Sequence, residues 1–297
     1  MSIFTDRTAA AMGLFDGVHR GHRAVIGEAV RLAEKLSVSP AVFTFETSTV
    51  SSKDGSANRI VTDSQKLELI RSMGVELIYS PPFDELKGLS AEDFVKKILV
   101  ERMNCAAVVC GSDFRFGRGA EGNCAVLREL CDKYSISLDV VPDEKYGGVR
   151  ISSSEIRKLI ADGNIHEANM LLGYDYYIKE TVISGHQLGR TMDFPTINQL
   201  IPDGMAVPKH GVYASETEID GTVFRSVTNI GVKPTVEKHS ALLAETHIID
   251  YSGDLYGRVL KVSLFEFLRP EKKFADVSEL FSQIAKDTEH SRTMKKI

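Results

Sequence analysis

The residues best placed to do chemistry are two histidines, His19 and His22, which close the run Gly13-Leu14-Phe15-Asp16-Gly17-Val18-His19-Arg20-Gly21-His22. A helical pattern follows at once, with apolar residues at Val25, Ile26, Ala29, Leu32, Ala33 and Leu36 on one face. A glycine-rich turn ahead of a helix presents free backbone N–H groups and the positive end of the helix dipole, and both attract a phosphate. Gly21 lets the chain come close to such a ligand, and both imidazoles can point at it. Nucleotidyl transfer asks a protein mainly to position groups and to stabilise charge on phosphate oxygens, and paired imidazoles suit that task. Without these surroundings, a His-x-x-His pair would read as a surface or metal-binding pair.

Such a turn needs a strand in front of it, and Ala9 to Met12 supplies the candidate. Further short apolar runs predict strands at Ala41 to Phe45, Val75 to Tyr79, Ala106 to Cys110 and Ile136 to Val141. Helical spacing separates them, at Leu67, Ile70 and Met73, at Phe94, Ile98 and Leu99 behind an N-capping Ser90, and at Leu127 and Leu130. This alternation predicts an α/β domain with an open parallel sheet covered on both faces. Two short helices follow, the first capped by Ser154 and ended by Gly163, the second ended by Gly173. Beyond Gly173 strands dominate, at Gly211 to Ala214, Val227 to Ile230, Thr246 to Ile249 and Leu260 to Phe267. Turn signals at Gly185, Asp203-Gly204, Asp220-Gly221 and Ser252-Gly253 space them as a small antiparallel β-barrel. A terminal helix through Val277, Leu280, Phe281 and Ile284 completes the pattern. Two domains are expected, residues 1–175 and 176–297.

A length of 297 residues agrees with two domains. The 36 basic and 41 acidic residues leave a net charge of −5, with no electrostatic footprint for nucleic acid or a membrane surface. No apolar run reaches the roughly 18 residues of a membrane span. Cys105, Cys110, Cys124 and Cys131 form no C-x-x-C pair and follow no signal-like segment, so reduced thiols and a cytoplasmic location are expected. His166, His210, His239, His247 and His290 lack metal-ligand spacing and read as surface or structural. Tyr174, Tyr176 and Tyr177 read as packing residues of the domain junction.

The run from Gly13 to His22 resembles the His-x-Gly-His signature of the nucleotidylyltransferase superfamily. In its longer form it resembles the prokaryotic bifunctional riboflavin kinase/FAD synthetase family. The resemblance implies a Rossmann-like amino-terminal domain in which His19 and His22 are catalytic and Gly13, Phe15, Asp16, Gly17 and Gly21 bind ATP phosphates. Gly111-Ser112-Asp113-Phe114-Arg115-Phe116-Gly117 looks like the family's flavin loop, implying flavin contacts from Asp113, Phe114 and Phe116. Ile151-Ser152-Ser153-Ser154-Glu155-Ile156-Arg157 looks like its Ile-Ser-Ser-Thr-x-Ile-Arg motif, implying phosphate contacts from Ser153, Ser154 and Arg157. One segment departs: where the family usually carries Thr-Phe-x-Pro-His-Pro, this chain reads Thr44-Phe45-Glu46-Thr47-Ser48-Thr49-Val50.

The stretch Gly185-His186-Gln187-Leu188-Gly189-Arg190-Thr191-Met192-Asp193-Phe194-Pro195-Thr196-Ile197-Asn198 resembles the riboflavin kinase signature, with Asp193 where glycine is frequent. By that resemblance Gly185, Gly189 and Arg190 close over the nucleotide, and Thr196 and Asn198 offer oxygen ligands to Mg²⁺ shared with ATP. Asn229, Gly231 and Pro234 belong to a further matching motif on the nucleotide side. Glu245 is implied as the base that takes the proton of the riboflavin 5′-hydroxyl, and Arg269, Glu271 and Phe274 as flavin contacts. The resemblance covers Ala9 to Arg292. It implies ATP-dependent phosphorylation of riboflavin to FMN and adenylylation of FMN to FAD, with riboflavin, FMN, FAD and ATP as partners. Two other readings stay open: a riboflavin kinase with a silent first domain, and a flavin-responsive binding protein without turnover. The oligomeric state is left open.

Overall fold

The computed structural model describes residues 4–46, 58–183, 195–234 and 240–294. The chain divides into two compact units, Met1–Glu155 and Ile156–Ile297. In the first, strands β1 (Thr8–Met12), β2 (Ser39–Phe43), β3 (Leu77–Tyr79), β4 (Cys105–Gly111) and β5 (Ser137–Val141) pair in parallel in the order β3-β2-β1-β4-β5. Helices α1 (Arg20–Leu36), α2 (Asp63–Arg71), α3 (Phe83–Leu86), α4 (Ala91–Phe94) and α5 (Cys124–Lys133) lie between them, and α4 runs on as a π-helix from Val95 to Arg102.

Period-two alternation sends neighbouring strand residues to opposite faces. Ala10, Met12, Phe43, Val108 and Cys110 pack with Phe94, Ile98, Leu99 and Leu127, whereas Ala11, Val42 and Val109 pack with Val25, Ile26, Ala29 and Ile70. Both faces are covered, so the strands read as continuous apolar runs. The strand order reverses beside β1, between β2 and β4, and ligands of open α/β sheets bind outside the carboxyl ends at such a switch point.

A small hairpin, β6 (Lys145–Tyr146) and β7 (Val149–Arg150), precedes α6 (Ser153–Asp162). The expected cap of α6 is corrected by two residues. Ser152, not Ser154, accepts the backbone N–H of Glu155 through its hydroxyl, because the helix already begins at Ser153. Helix α7 (Ile165–Leu172) ends as expected at Gly173, whose φ of 78° is left-handed.

In the second unit β8 (Tyr177–Ile183), β9 (Thr196–Leu200), β10 (Gly211–Ile219), β11 (Thr222–Pro234), β12 (Ser240–Ile248) and β13 (Val259–Arg269) close a barrel in the order β10-β11-β12-β9-β8-β13. Asp220 and Gly221, with φ of 51° and 79°, form the two-residue turn of the β10–β11 hairpin. The barrel interior mixes Tyr213, Ile230, Val262 and Leu264 with a hydroxyl ladder. Ser215 and Thr228 lie 2.8 Å apart, Thr217 and Ser226 2.7 Å, and Thr228 and Thr246 2.9 Å. Helix α8 (Val277–Thr293) packs outside, along β10 and β11. Tyr176 is buried in this unit and donates its hydroxyl to the Ala206 carbonyl at 2.9 Å.

Two candidate active sites

The turn after β1 is bent further than its glycines require. Phe15 and Val18 adopt positive φ (53° and 38°) alongside Gly17 at 79°, a conformation that costs a non-glycine residue on the order of 1–3 kcal/mol and persists only where neighbours enforce it. The Asp16 carboxylate accepts the Ile60 N–H at 2.9 Å, Ser153 donates its hydroxyl to the Asp16 carbonyl at 2.9 Å, and Thr44 donates to the Leu14 carbonyl at 2.8 Å. The Arg23 guanidinium donates to the Val18 carbonyl at 3.1 Å. This frame delivers His19 to the start of α1, where its Nδ1 accepts the His22 N–H at 3.3 Å.

That bond fixes the chemistry of the pair. With Nδ1 accepting, the neutral His19 ring carries its proton on Nε2. The two imidazoles stack with centroids 3.5 Å apart and planes 17° from parallel, and Phe15 meets His22 edge-on at 5.3 Å. Burial lowers the His19 pKa to about 4, and burial together with the neighbouring His19 holds His22 well below its ordinary value. Both rings are therefore neutral near pH 7. Buried His22 Nδ1 has no hydrogen-bond partner among the described residues.

The pair opens on a cleft of about 900 Å³ at the carboxyl ends of β1 and β4. Gly13, Phe15, His19, Gly21, His22, Asp113, Phe114, Phe116 and Ser153, all expected site residues, line it. Asp16 and Gly17 do not; they shape the turn from beneath, where a Cβ on Gly17 would meet Ile60 at 2.9 Å. Ser154 and Arg157 are also absent from the lining. The Asp113 carboxylate pairs with Arg150, which also reaches Asp143 at 3.1 Å. Sequence reasoning missed the rest of the wall, Phe43, Phe45, Phe83 and Phe94. The last of these stands 5.5 Å from Phe116, which stacks on Phe114 at 5.7 Å. Phe43 and Phe45 carried a signal as aromatic residues at and just beyond the end of β2 on the switch-point side, whereas Phe83 and Phe94 come from helices α3 and α4. Such a wall suits a flat aromatic ligand beside a phosphate.

The second site lies on the outer face of the barrel beneath α8. Antiparallel register places Asn229, Glu245 and Asn198 in one cross-strand row and Val227, His247 and Thr196 in the next row on the same face. Thr196 donates its hydroxyl to Glu245 Oε1 at 3.1 Å. Burial lowers the pKa of His247 below its ordinary value, and its Nδ1 stands 3.1 Å from the Pro195 carbonyl.

A cavity of about 640 Å³ joins this polar end to an apolar wall of Val212, Val227, Phe274, Leu280, Phe281 and Ile284. Thr196, Asn229, Glu245, Arg269, Glu271 and Phe274 line it as expected; Asn198 is buried in the row, outside the lining. Arg269 grips Asp287 of α8 through Nε at 2.9 Å and a terminal nitrogen at 2.8 Å, with its guanidinium 5.7 Å from the Phe274 ring centroid. Asn229 donates to Glu271 at 3.2 Å, and that carboxylate lies so close to Gly231 that an added Cβ would collide with it. Pro234 ends β11. Gly185, Gly189 and Arg190 lie outside the described residues, as does most of the departing segment after Glu46. The α8 side chains and His247 escaped sequence reasoning: the helix spacing showed only that a face is buried, and His247 was classed as surface or structural.

The oxygen donors of Thr196, Asn198 and Glu245 are hard ligands appropriate to Mg²⁺. Among the described residues no group of three or more His, Cys, Asp or Glu could hold a metal by itself.

The family model described as FAD synthetase matches residues 2–155, and that described as riboflavin kinase matches residues 172–295. The bifunctional riboflavin kinase/FMN adenylyltransferase of Listeria monocytogenes is 35% identical over 286 residues, 95% of this chain and 90% of that protein. The proteins of the same description from Bacillus subtilis (34%, covering 96% and 92%) and Escherichia coli K12 (35%, covering 93% and 89%) are similar to the same extent. A crystal structure described as a macrolide-efflux protein from Streptococcus pneumoniae superposes with a TM-score of 0.87 at 28% identity, covering 99% of this chain and 96% of that one. Among the described residues of this chain no helix is long and apolar enough to cross a membrane. With both halves matched in order and full-length relatives above 30% identity, the chain belongs to the bifunctional riboflavin kinase/FMN adenylyltransferase family.

Proposed function

We propose that this chain makes FMN from riboflavin in its second unit and FAD from FMN in its first, using one ATP for each step. The observation that carries this reading is that each unit holds its own cleft with its own chemistry: neutral stacked imidazoles above an aromatic wall in one, a carboxylate at the polar end of an apolar cavity in the other. In the kinase site Glu245 takes the proton of the riboflavin 5′-hydroxyl. That oxygen bonds to the γ-phosphorus of ATP, and the bond to the β-phosphate oxygen breaks to release ADP. Thr196 orients the carboxylate and faces the nucleotide with Asn229, while Phe274, Leu280 and Phe281 shelter the isoalloxazine ring. Mg²⁺, held through Thr196 and Asn198 and by ATP, would neutralise charge on the transferring phosphoryl group.

In the adenylyltransferase site a phosphate oxygen of FMN bonds to the α-phosphorus of the second ATP, and pyrophosphate leaves. The Nε2–H of His19, with His22 stacked behind it, donates to the charge that gathers on the phosphate oxygens. Phe114 and Phe116 with the aromatic wall receive the flavin, and Gly13, Gly21 and Ser153 the nucleotide phosphates. The functional border is drawn at 175/176, immediately before β8, although packing sets the later turns of α6 and all of α7 with the barrel. A cytoplasmic setting accords with ATP use and four free cysteines.

The test is chromatography of products from purified enzyme with ATP and Mg²⁺, started separately from riboflavin and from FMN. Riboflavin is expected to give FMN and then FAD, and FMN to give FAD. FMN that accumulates without FAD would show that the first site is silent, leaving a riboflavin kinase. Flavin binding with neither product would leave a binding protein.

A further inference from the structure

His247 follows Glu245 by two residues on β12, so both side chains leave the strand on one face. The ladder sets it opposite Thr196, and its ring lines the kinase cavity. Nδ1 lies 3.1 Å from the carbonyl oxygen of Pro195. A carbonyl only accepts, so Nδ1 carries the proton and donates it. The next residue along the chain, Thr196, gives its own hydroxyl to Glu245 at 3.1 Å. Two side-chain bonds thus tie the start of β9 to β12: His247 holds the backbone before Thr196, and Thr196 holds the carboxylate. Pro195 has no N–H of its own, so its carbonyl is the one backbone hydrogen-bonding group that residue can offer. The carbonyl is the handle that remains.

We infer that His247 is a positioning residue for riboflavin phosphorylation, which fixes the Thr196 hydroxyl against Glu245 by gripping the Pro195 carbonyl. The role rests on the proposed placement of Thr196 beside the nucleotide. It assigns His247 no proton transfer. Its work is to keep the hydroxyl and the base in register while ATP enters and ADP leaves.

The test compares H247F, which keeps a ring but has no donor, with H247N, whose amide N–H can reach the same carbonyl, and with T196A and H247F/T196A. The readouts are kcat and the separate KM values for MgATP and riboflavin in FMN formation, with circular dichroism and thermal unfolding of the same preparations as a check of folding. Losing this hydrogen bond should lower kcat/KM for MgATP about five- to tenfold in H247F, with KM for riboflavin within about twofold. H247N should recover most of the loss, and the double variant should be no worse than T196A, because both changes release the same hydroxyl. Should H247F not fold, H247A is the second donor-free variant and carries the same expectation. Unchanged MgATP parameters in H247F, equal losses in H247F and H247N, or losses that multiply in the double variant would each overturn the role. T196A with unchanged MgATP dependence would strike instead at the nucleotide placement, and His247 would fall with it.

Discussion

His19 and His22 work as a pair because neither is charged at neutral pH. A charged imidazole would attract phosphate more strongly, but two stacked 3.5 Å apart would repel each other in a site partly shielded from water. The neutral tautomer instead aims an Nε2–H at the place where charge gathers. This has a consequence for stability. His19 binds a proton at about pH 4 when folded and near 6.5 when unfolded, and His22 shifts in the same direction. Between those values the unfolded chain holds more protons, so stability is complete above about pH 6.5 and is lost as pH falls towards 4. Replacing both by asparagine, which does not titrate, should flatten the fall in Tm of the first unit between pH 7 and pH 5. Calorimetry on both proteins across that range checks it; parallel curves would show that the pair is not buried as described. The spacing of the two histidines was legible in the sequence. Their neutrality was not, because it depends first on burial in the folded cleft, and for His19 also on the charge of Arg150, more than a hundred residues away.

At the scale of elements, the parallel sheet was readable because strands buried on both faces are continuous apolar runs between amphipathic helices. The barrel was harder, since its interior carries Ser215, Thr217, Ser226, Thr228 and Thr246 while its outer face carries Val212 and Val227 under α8. Hydropathy alternation therefore blurs where the fold is most regular, and turn signals such as Asp220-Gly221 carried the reading instead. The same inversion hides the kinase site, whose apolar wall is shared between a strand face and a helix. Gly231 on β11 tests that arrangement. Its backbone is fixed by pairing with Leu243 on β12, so an added methyl must displace the Glu271 carboxylate rather than the strand. Because that carboxylate ends a flexible, exposed side chain, G231A should cost no more than about 1 kcal/mol of stability. It should nonetheless break the Asn229–Glu271 bond and raise KM for riboflavin several-fold. Removing the carboxylate first, in E271A, should make the added methyl harmless; a further loss in E271A/G231A would place the cost in β11 itself.

At the scale of the whole molecule, the two sites are built from separate residue sets. Each described cleft is lined by residues of one compact unit, Met12 to Ser153 for the first and Thr196 to Asp287 for the second. Glu245→Gln keeps the shape and the acceptor for Thr196 while removing the base, so FMN formation should fall by about 10²-fold or more, with FMN still converted to FAD at the wild-type rate. His19→Ala/His22→Ala should do the reverse, losing about 10²-fold or more of FAD formation through lost donors to the phosphate oxygens. Neither variant alone should carry riboflavin to FAD. If FMN leaves the kinase cavity before it is adenylylated, an equal mixture of the two variants should recover FAD production after a lag. That lag should shorten as total protein rises, because the intermediate must be captured from solution by a second molecule. If FMN passes directly between sites of one chain, the mixture should accumulate FMN and make FAD far more slowly than wild type at the same concentration of active sites. A time course of the three flavins at two protein concentrations separates the cases. Recovery of both steps by either variant alone would refute the division of labour between the two units.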